Sequence, residues 1–208
     1  MAERAGTTRR LRGGLVAVLA ATLLAACGGA DASTKPFSGL THDPYQVEAT
    51  PLVDTDGNPY SLRTDTDKRL TLVFFGYTNC PDICPLVLNT IASGLTRLDD
   101  ADREQVDVVF VTTDPVRDTG PVLREYLDRF DPTFTGLTGD LQDIVAVGEP
   151  LAVYVAEGEQ LASGGYDLEA HSTQVSGIDG GDESPVLWTQ DTSSAQFAAD
   201  IHTLLAEG

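Results

Sequence analysis

Two cysteines stand four residues apart in the middle of the chain, within residues 77–85 (YTNCPDICP). Their spacing is not the Cys-x-x-Cys pattern of a redox thioredoxin. Positions i and i+4 are neighbours on a helical turn, however, so the sulfurs of Cys80 and Cys84 could lie on one side of it. Sulfurs close to the N-terminus of a helix are in a positive field, which favours thiolate over thiol. Thiolates are soft ligands that select Cu(I) or zinc, so this pair needs only one or two more donors to hold a metal ion.

The same two cysteines could instead form a structural disulfide, which an oxidising extracytoplasmic compartment permits. Their position favours a functional role. They follow a buried strand and precede a helix that begins near Pro85, and functional residues gather at this point of open α/β sheets. The residue pattern alone leaves both readings open.

The elements that position the cysteines alternate between strand and helix. Near-continuous β-prone runs predict buried strands at Leu70–Tyr77 and Val106–Thr112. Apolar spacing predicts helices after each of them, at Pro85 to about Leu98 and at Gly120–Phe130. Such alternation predicts a parallel sheet covered on both faces. A further helix at Leu141–Val147 and a strand at Leu151–Val155 continue the pattern.

Antiparallel hairpins are predicted at both ends of this unit. Asp56-Gly57 lies between short apolar stretches within 47–62, which is a hairpin signal. Residues 173–178 and 186–188 form a second hairpin around a Gly-rich turn, and a helix over 195–205 closes the chain. A mixed sheet of this order, with paired cysteines after its first central strand, is typical of a thioredoxin-like fold. We therefore expect an α/β protein with a central mixed β-sheet flanked by helices and an N-terminal β-hairpin.

The first 26 residues have the features of a secretory signal peptide. Four arginines precede an uncharged apolar run from Leu15 to Ala26, which is too short for a transmembrane helix. Leu24-Ala25-Ala26-Cys27 resembles the bacterial lipobox, in which the cysteine becomes the lipid-modified first residue. We expect residues 1–26 to be removed, Cys27 to be acylated, 27–44 to form a flexible tether and 45–208 to form the domain. The protein would then be anchored at the outer face of the cytoplasmic membrane. The alternative is an ordinary cleaved signal followed by an incidental cysteine.

The charge of the chain narrows the classes of partner. It has 32 acidic residues against 13 Lys and Arg, a formal charge of −19. This balance argues against a nucleic-acid binder, since phosphate binding needs a basic surface. It would instead attract cations or a basic patch on a partner. No serine-hydrolase elbow, zincin motif or phosphate loop is present in the sequence. Nothing in it indicates an obligate oligomer, so we expect a monomer.

Three segments carry a resemblance to a known family. Residues 76–85 (GYTNCPDICP) resemble the signature of the SCO/SenC family, as do 111–119 (VTTDPVRDT) and 134–139 (FTGLTG). Members are membrane-attached, thioredoxin-fold copper proteins that help to assemble the dinuclear copper centre of cytochrome c oxidase. The resemblance covers roughly residues 45–205. It implies that copper, as Cu(I) or Cu(II), is bound by Cys80, Cys84 and His171, which lies 87 residues after Cys84.

Some positions depart from the family pattern or remain open. Ala170 stands where the family commonly has Asp directly before the ligand His, which places the copper affinity in question. Without the resemblance, His171 reads as a surface histidine on a polar loop. Asp114 and Arg117 could brace the site through an ion pair or a cap, or Asp114 could simply end a strand. His42 and His202 match nothing in the family, and both are expected to face solvent.

Two functions of different classes follow. The first is a copper metallochaperone, not an enzyme, that passes Cu(I) to the copper-bearing subunit of the oxidase. The second is a thiol–disulfide oxidoreductase in which Cys80 and Cys84 cycle to reduce the copper-ligand cysteines of that subunit or another extracytoplasmic target. Other copper chaperones or thiol reductants would be further partners. Both functions need the same reduced pair.

Overall fold

The computed structural model of the chain describes residues 37–155 and 172–207. The predicted signal peptide, the predicted lipidation site Cys27, the predicted third ligand His171 and the neighbouring Ala170 lie outside the described residues.

Eight strands of the described residues form one mixed sheet, in the order β1-β8-β7-β4-β5-β6-β2-β3. The central strands β4, β5 and β6 are parallel, and all other pairs are antiparallel. The strands are β1 (Leu40–Gln46), β2 (Leu52–Asp54), β3 (Pro59–Tyr60), β4 (Leu70–Gly76), β5 (Val106–Thr112), β6 (Thr135–Thr138), β7 (Val175–Asp179) and β8 (Glu183–Trp188).

Helices cover both faces of this sheet. In chain order they are α1 (Ile83–Leu95), α2 (Asp100–Arg103), α3 (Gly120–Leu127), α4 (Leu141–Gly148), a 3-10 turn (Glu149–Leu151) and α5 (Ser194–Glu207).

Strict alternation along the central strands divides the core into two layers. In β4, Leu72 and Phe74 point to the layer that α1, α3 and α5 complete, whereas Val73 and Phe75 point to the layer under α4. All seven residues of β4 are buried, because both faces of the strand are covered. This buried central strand ends directly before residues 77–85, which contain both cysteines.

The main predicted elements are confirmed, including the α/β class and both hairpins. The Asp56-Gly57 turn joins β2 to β3, and Gly57 has a positive φ of 88° that glycine adopts without strain. Helix α1 begins two residues earlier than predicted, because the side chain of Asp82 accepts the Ile83 amide at 2.7 Å and caps the helix. Strands β1 and β6 were not predicted.

The predicted strand at Leu151–Val155 is wrong. Pro150 lies in a 3-10 turn, and Ala152 follows in the left-handed region with φ 54°. Neither conformation continues a strand. The segment still buries Leu151 and Val153, which explains its apolar composition.

The predicted tether is also corrected over its last residues. Residues 40–44 belong to β1, which pairs with β8. The buried carboxylate of Asp200 holds the residues before this strand, accepting the Ser38 and Gly39 amides at 3.1 and 2.8 Å and the Trp188 indole N–H at 2.9 Å. The folded unit therefore begins at Phe37, eight residues before the predicted boundary at 45.

None of the helices in the described part of the chain is long and apolar enough to span a membrane.

Candidate metal centre

The cysteine loop, residues 77–82, connects the end of β4 to the start of α1. Cys84 lies in the first turn of α1 and is completely buried, whereas Cys80 is partly exposed. The backbone N–H of Cys84 donates to the Cys80 sulfur at 3.3 Å, so the loop folds back on the helix N-terminus. Both cysteines are free thiols in this structure. The predicted i, i+4 neighbourhood of the two sulfurs is thus present.

The two thiols differ sharply in acidity. The hydrogen bond from the Cys84 thiol, helped by backbone N–H groups, lowers the pKa of Cys80 to about 5. The same hydrogen bond and burial raise the pKa of Cys84 well above its usual range. The pair therefore shares one proton at neutral pH: Cys80 is the thiolate and Cys84 is the thiol that stabilises it. A partly exposed thiolate beside a buried thiol can bind a soft metal ion or attack a disulfide.

The floor of the site is tightly packed. Gly76, the last residue of β4, lies so close to Cys84 that a Cβ built on it would be 2.7 Å from the Cys84 sulfur and 3.0 Å from Phe110 Cε2. Two buried tyrosines, Tyr77 and Tyr126, lie near the cysteines, and burial raises the pKa of both phenols. The Cys84 sulfur is thus held in place by its neighbours.

A buried carboxylate ties the cysteine loop to the next strand. Asp118 accepts the Thr78 amide at 2.9 Å and the Thr78 hydroxyl at 2.6 Å, and also the Thr112 hydroxyl at 2.7 Å. Thr112 is the last residue of β5, and Thr78 is two residues before Cys80. Asp118 therefore fixes the loop to the sheet.

The loop that contains Asp118 is itself braced by an ion pair. The Arg117 guanidinium donates to the Asp114 carboxylate, and the amides of Arg117 and Asp118 donate to the Asp114 carbonyl at 3.1 and 2.9 Å. Asp114 also follows the end of β5, so the predicted ion pair is found together with strand termination.

The structure places the two cysteines together but does not test the third predicted ligand. His171 lies outside the described residues, and over 37–155 and 172–207 no group of three or more His, Cys, Asp and Glu side chains could hold a metal ion. His202 is exposed, as predicted, and its Nδ1 contacts Asp102 Oδ2 at 2.6 Å. His42 is not fully solvent-facing, because it lies in β1 with its ring stacked on Tyr45 at 4.1 Å between centroids.

The residues that follow His171 are anchored beside the cysteine loop. Val175, the first residue of β7, pairs with Phe74 of β4, two residues before that strand ends. Ser172 donates its N–H to the Tyr154 carbonyl at 3.2 Å, and its Oγ accepts the Tyr154 N–H at 3.0 Å. The chain thus enters β7 at the same edge of the sheet at which β4 leaves it.

Comparisons with known proteins agree with this architecture. The family model described as SCO1/SenC matches residues 41–206. The chain belongs to the SCO1/SenC family. A SCO2-like protein of Rickettsia felis is 40% identical over 107 residues, which are 50% of this chain and 50% of the relative. The chain spans between 34% and 61% of the length of the curated relatives it matches.

Solved SCO structures share the fold. The solution structure of apo Sco1 from Thermus thermophilus superposes with a TM-score of 0.72 and 27% identity, covering 81% of this chain and 96% of that one. Yeast Sco1 with copper bound gives a TM-score of 0.69 and 26% identity, covering 81% and 90%. The thioredoxin-like fold predicted from the sequence is therefore confirmed.

Sequence reasoning did not assign a role to one residue of this SCO1/SenC site. Asp118 lies in the motif 111–119 that carries the resemblance, yet nothing in the sequence distinguishes it from a surface Asp. The contacts of its carboxylate depend on Thr78, which is 40 residues away in the chain. The one signal available in the sequence is that Asp118 is a polar residue between a predicted strand and a predicted helix, at the edge of the sheet where the strands end.

Proposed function

We propose that this chain binds copper through Cys80, Cys84 and His171 and delivers it to a copper site of cytochrome c oxidase. The observation that carries the proposal is the pair of free cysteines at the edge where β4 ends, in which the partly exposed Cys80 sulfur accepts the backbone N–H of the buried Cys84 at 3.3 Å. Two sulfurs and one imidazole suit Cu(I), and an added oxygen ligand suits Cu(II). Partial exposure of Cys80 leaves a path for ligand exchange with an acceptor.

The register of β7 supports His171 as the third ligand. Val175 pairs with Phe74, and His171 precedes Val175 by only four residues. A residue that far along the chain is at most about 14 Å away. Chain length therefore allows His171 to lie at the edge of the sheet where β4 ends, whereas His202 is hydrogen-bonded to Asp102 of α2, which precedes β5.

Copper titration of the reduced full-length protein in detergent tests the proposal. We expect one Cu(I) per chain under anaerobic conditions. In the Cys80→Ser and His171→Ala variants the affinity for Cu(I) should be at least about 100-fold lower. His202→Ala is the matched control, since it also removes one imidazole. Failure of the wild-type protein to retain copper at micromolar concentration would contradict the proposal, as would equal losses in both histidine variants.

The asymmetry of the two thiols favours a second candidate, a thiol–disulfide oxidoreductase. The Cys80 thiolate would attack a target disulfide, forming a mixed disulfide and releasing one target thiolate. Cys84 would then attack the Cys80 sulfur, lose its proton, release the second target thiolate and leave a Cys80–Cys84 disulfide. An external thiol reductant would restore the pair. If the protein acts as an oxidoreductase, the His171→Ala variant should retain activity on a disulfide substrate and should still support oxidase assembly. Copper delivery through His171 does not allow that outcome.

The membrane location is part of the proposal. The lipobox-like residues 24–27 support acylation of Cys27, and the first described residue of the folded unit is Phe37. Two or more acyl chains would give stable attachment at the outer face of the cytoplasmic membrane. We expect Cys27→Ser to move the protein from the membrane fraction to the soluble fraction, detected by immunoblot. Unchanged membrane attachment in that variant would contradict the anchor.

A further inference from the structure

Asp118 is a buried carboxylate whose partners in the structure are neutral. Its side chain is completely inaccessible to solvent, and its oxygens accept from the amide and hydroxyl of Thr78 and from the hydroxyl of Thr112. Asp200, the other buried Asp of the described residues, accepts the amides of Ser38 and Gly39 and the indole of Trp188. Those partners lie directly before β1 and in β8, and they serve the fold. Asp118 instead contacts the loop that holds Cys80.

The hydrogen bonds of Asp118 do not by themselves require a charge. An asparagine has nearly the same shape, and threonine hydroxyls can donate to an amide oxygen or accept from an amide N–H. Burying an ionised carboxylate is costly unless it is compensated, and hydrogen bonds from neutral donors compensate it only in part. A cation that arrives in the neighbouring site would supply further compensation. The negative charge of Asp118 also acts on Cys84 and Tyr126, where it helps to raise the pKa of both groups.

We propose that Asp118 is a positioning residue that also sets the charge preference of the copper site: its carboxylate fixes the cysteine loop through Thr78 and stabilises Cu(II) relative to Cu(I) at Cys80 and Cys84. The inference rests on the copper binding proposed above. It assigns a role to a residue outside the proposed ligand set: Asp118 determines which oxidation state of copper is bound more tightly.

The physical reason is the interaction of a fixed charge with the ion. A negative charge in a low-dielectric interior attracts a doubly charged ion more strongly than a singly charged one. Removing that charge weakens both oxidation states, but it weakens Cu(II) more. We expect the ratio of the Cu(II) to the Cu(I) association constant to fall by about tenfold or more, which raises the copper reduction potential by about 60 mV for each tenfold change.

Two variants separate charge from hydrogen bonding. Asp118→Asn removes the charge and keeps the shape, whereas Thr112→Val keeps the charge and removes one hydrogen-bond donor of similar size. Cu(I) and Cu(II) affinities of the full-length protein are measured by chelator competition. We expect the affinity ratio to fall about tenfold in Asp118→Asn and to change less than about twofold in Thr112→Val.

Asp118→Glu, which retains the charge, should remain closer to the wild-type ratio than Asp118→Asn. Equal ratios in the Asn variant and the wild type would overturn the charge preference, as would equal changes in the Asn and Val variants.

Amide hydrogen exchange of the metal-free wild-type protein tests the positioning role without any variant. Because the Thr78 N–H donates to Asp118 at 2.9 Å, we expect this amide to exchange at least about tenfold more slowly than an unprotected one. Exchange at the unprotected rate would overturn the positioning role even if Asp118→Asn does not fold. A wild-type protein that holds neither copper ion would overturn the proposed function and the charge preference together. The exchange result would still decide whether Asp118 positions the loop.

Discussion

The two edges of the central sheet hold charge in different ways. At the carboxyl edge, where β4 and β5 end, the carboxylate of Asp118 is sealed among threonines beneath the cysteine loop. At the amino edge, where these strands begin, Lys68 donates to the Glu104 carbonyl at 2.9 Å and Arg69 to the Gln105 side chain at 3.0 Å, both at the surface. Surface contacts of this kind contribute little to the free energy of unfolding, because water competes with them. The comparison indicates that the buried, fixed polar contacts lie at the carboxyl edge, whereas the polar contacts of the amino edge are exposed to solvent.

Exposed apolar side chains also lie at the carboxyl edge. Leu86 follows the cysteines on α1 and is 53% exposed, and Val116 lies in the loop after β5 and is 85% exposed. Tyr154, which is 66% exposed, is hydrogen-bonded to Ser172 just before β7. If the proposed copper transfer takes place at this edge, exposed apolar side chains of this kind would contact the acceptor protein.

A pair of glycine substitutions should give the largest difference between the edges. A Cβ on Gly76 would be 2.7 Å from the buried Cys84 sulfur, whereas one on Gly180, in the β7–β8 turn at the amino edge, meets nothing within 4 Å. We expect Gly76→Ala to lower the free energy of unfolding by about 1–3 kcal/mol and to weaken copper binding strongly, because the overpacked sulfur must move. Urea unfolding and copper titration measure the two effects. Gly180→Ala is the control and should change neither; equal effects of the two substitutions would contradict the difference between the edges.

The sequence predicts the elements of the carboxyl edge better than the contacts between them. Long apolar strands such as β4 and β5 were located correctly because both faces are buried and the hydrophobic pattern is continuous. The predicted strand at Leu151–Val155 is wrong because buried apolar residues look alike in a strand and in the 3-10 turn and left-handed residue found there.

For the site, spacing predicts that Cys80 and Cys84 are neighbours, since i and i+4 contacts are local. The bonds from Thr78 to Asp118 join residues 40 positions apart, and they depend on the parallel pairing of β4 with β5. No local pattern specifies such a contact. The third ligand, His171, came from family resemblance alone and stays a prediction.

The acidity of Cys80 offers the next test. Its pKa of about 5 lies below its ordinary value of 9.0, mainly because the Cys84 thiol donates to its sulfur. Alkylation by iodoacetamide should therefore have a midpoint near pH 5, with Cys84 unreactive because it is buried. The metal-free reduced protein should gain stability as pH rises from about 5 towards 9, and lose that contribution as pH falls through 5.

The Cys84→Ala variant sharpens this test. It removes the thiol that donates to Cys80, so the midpoint should move towards 9 and alkylation at pH 6 should slow by about tenfold or more. Mass spectrometry of the modified protein gives the rate at each residue. An unchanged midpoint in the variant would show that the thiol pair is not the source of the acidity.

Exposed Val116 should have a smaller effect, limited to copper transfer. If the carboxyl edge meets the acceptor, Val116→Asp should slow Cu(I) transfer to the oxidase copper-site domain by about three- to tenfold, because it places a charge in an apolar contact. Copper affinity and unfolding should not change. Gly180→Asp adds the same charge at the amino edge and serves as the control. Equal slowing by both variants would attribute the effect to net charge and not to contact.

His202 at the amino edge should give the smallest effect of all. Its hydrogen bond and charge interaction with Asp102 raise the pKa of the imidazole above the usual 6.5, so the contact adds stability below pH 6.5 and loses it as pH rises through the folded pKa. We expect His202→Gln to lower the unfolding midpoint by about 1–2 °C at pH 5 and not at pH 9, because the imidazole is exposed and water screens the contact. Thermal unfolding at the two pH values measures this difference. Copper affinity should equal that of the wild type, since the contact is made at the amino edge beside α2. A loss of copper in His202→Gln would mean that the two edges are coupled, and the separation of a precise carboxyl edge from a solvated amino edge would then be wrong.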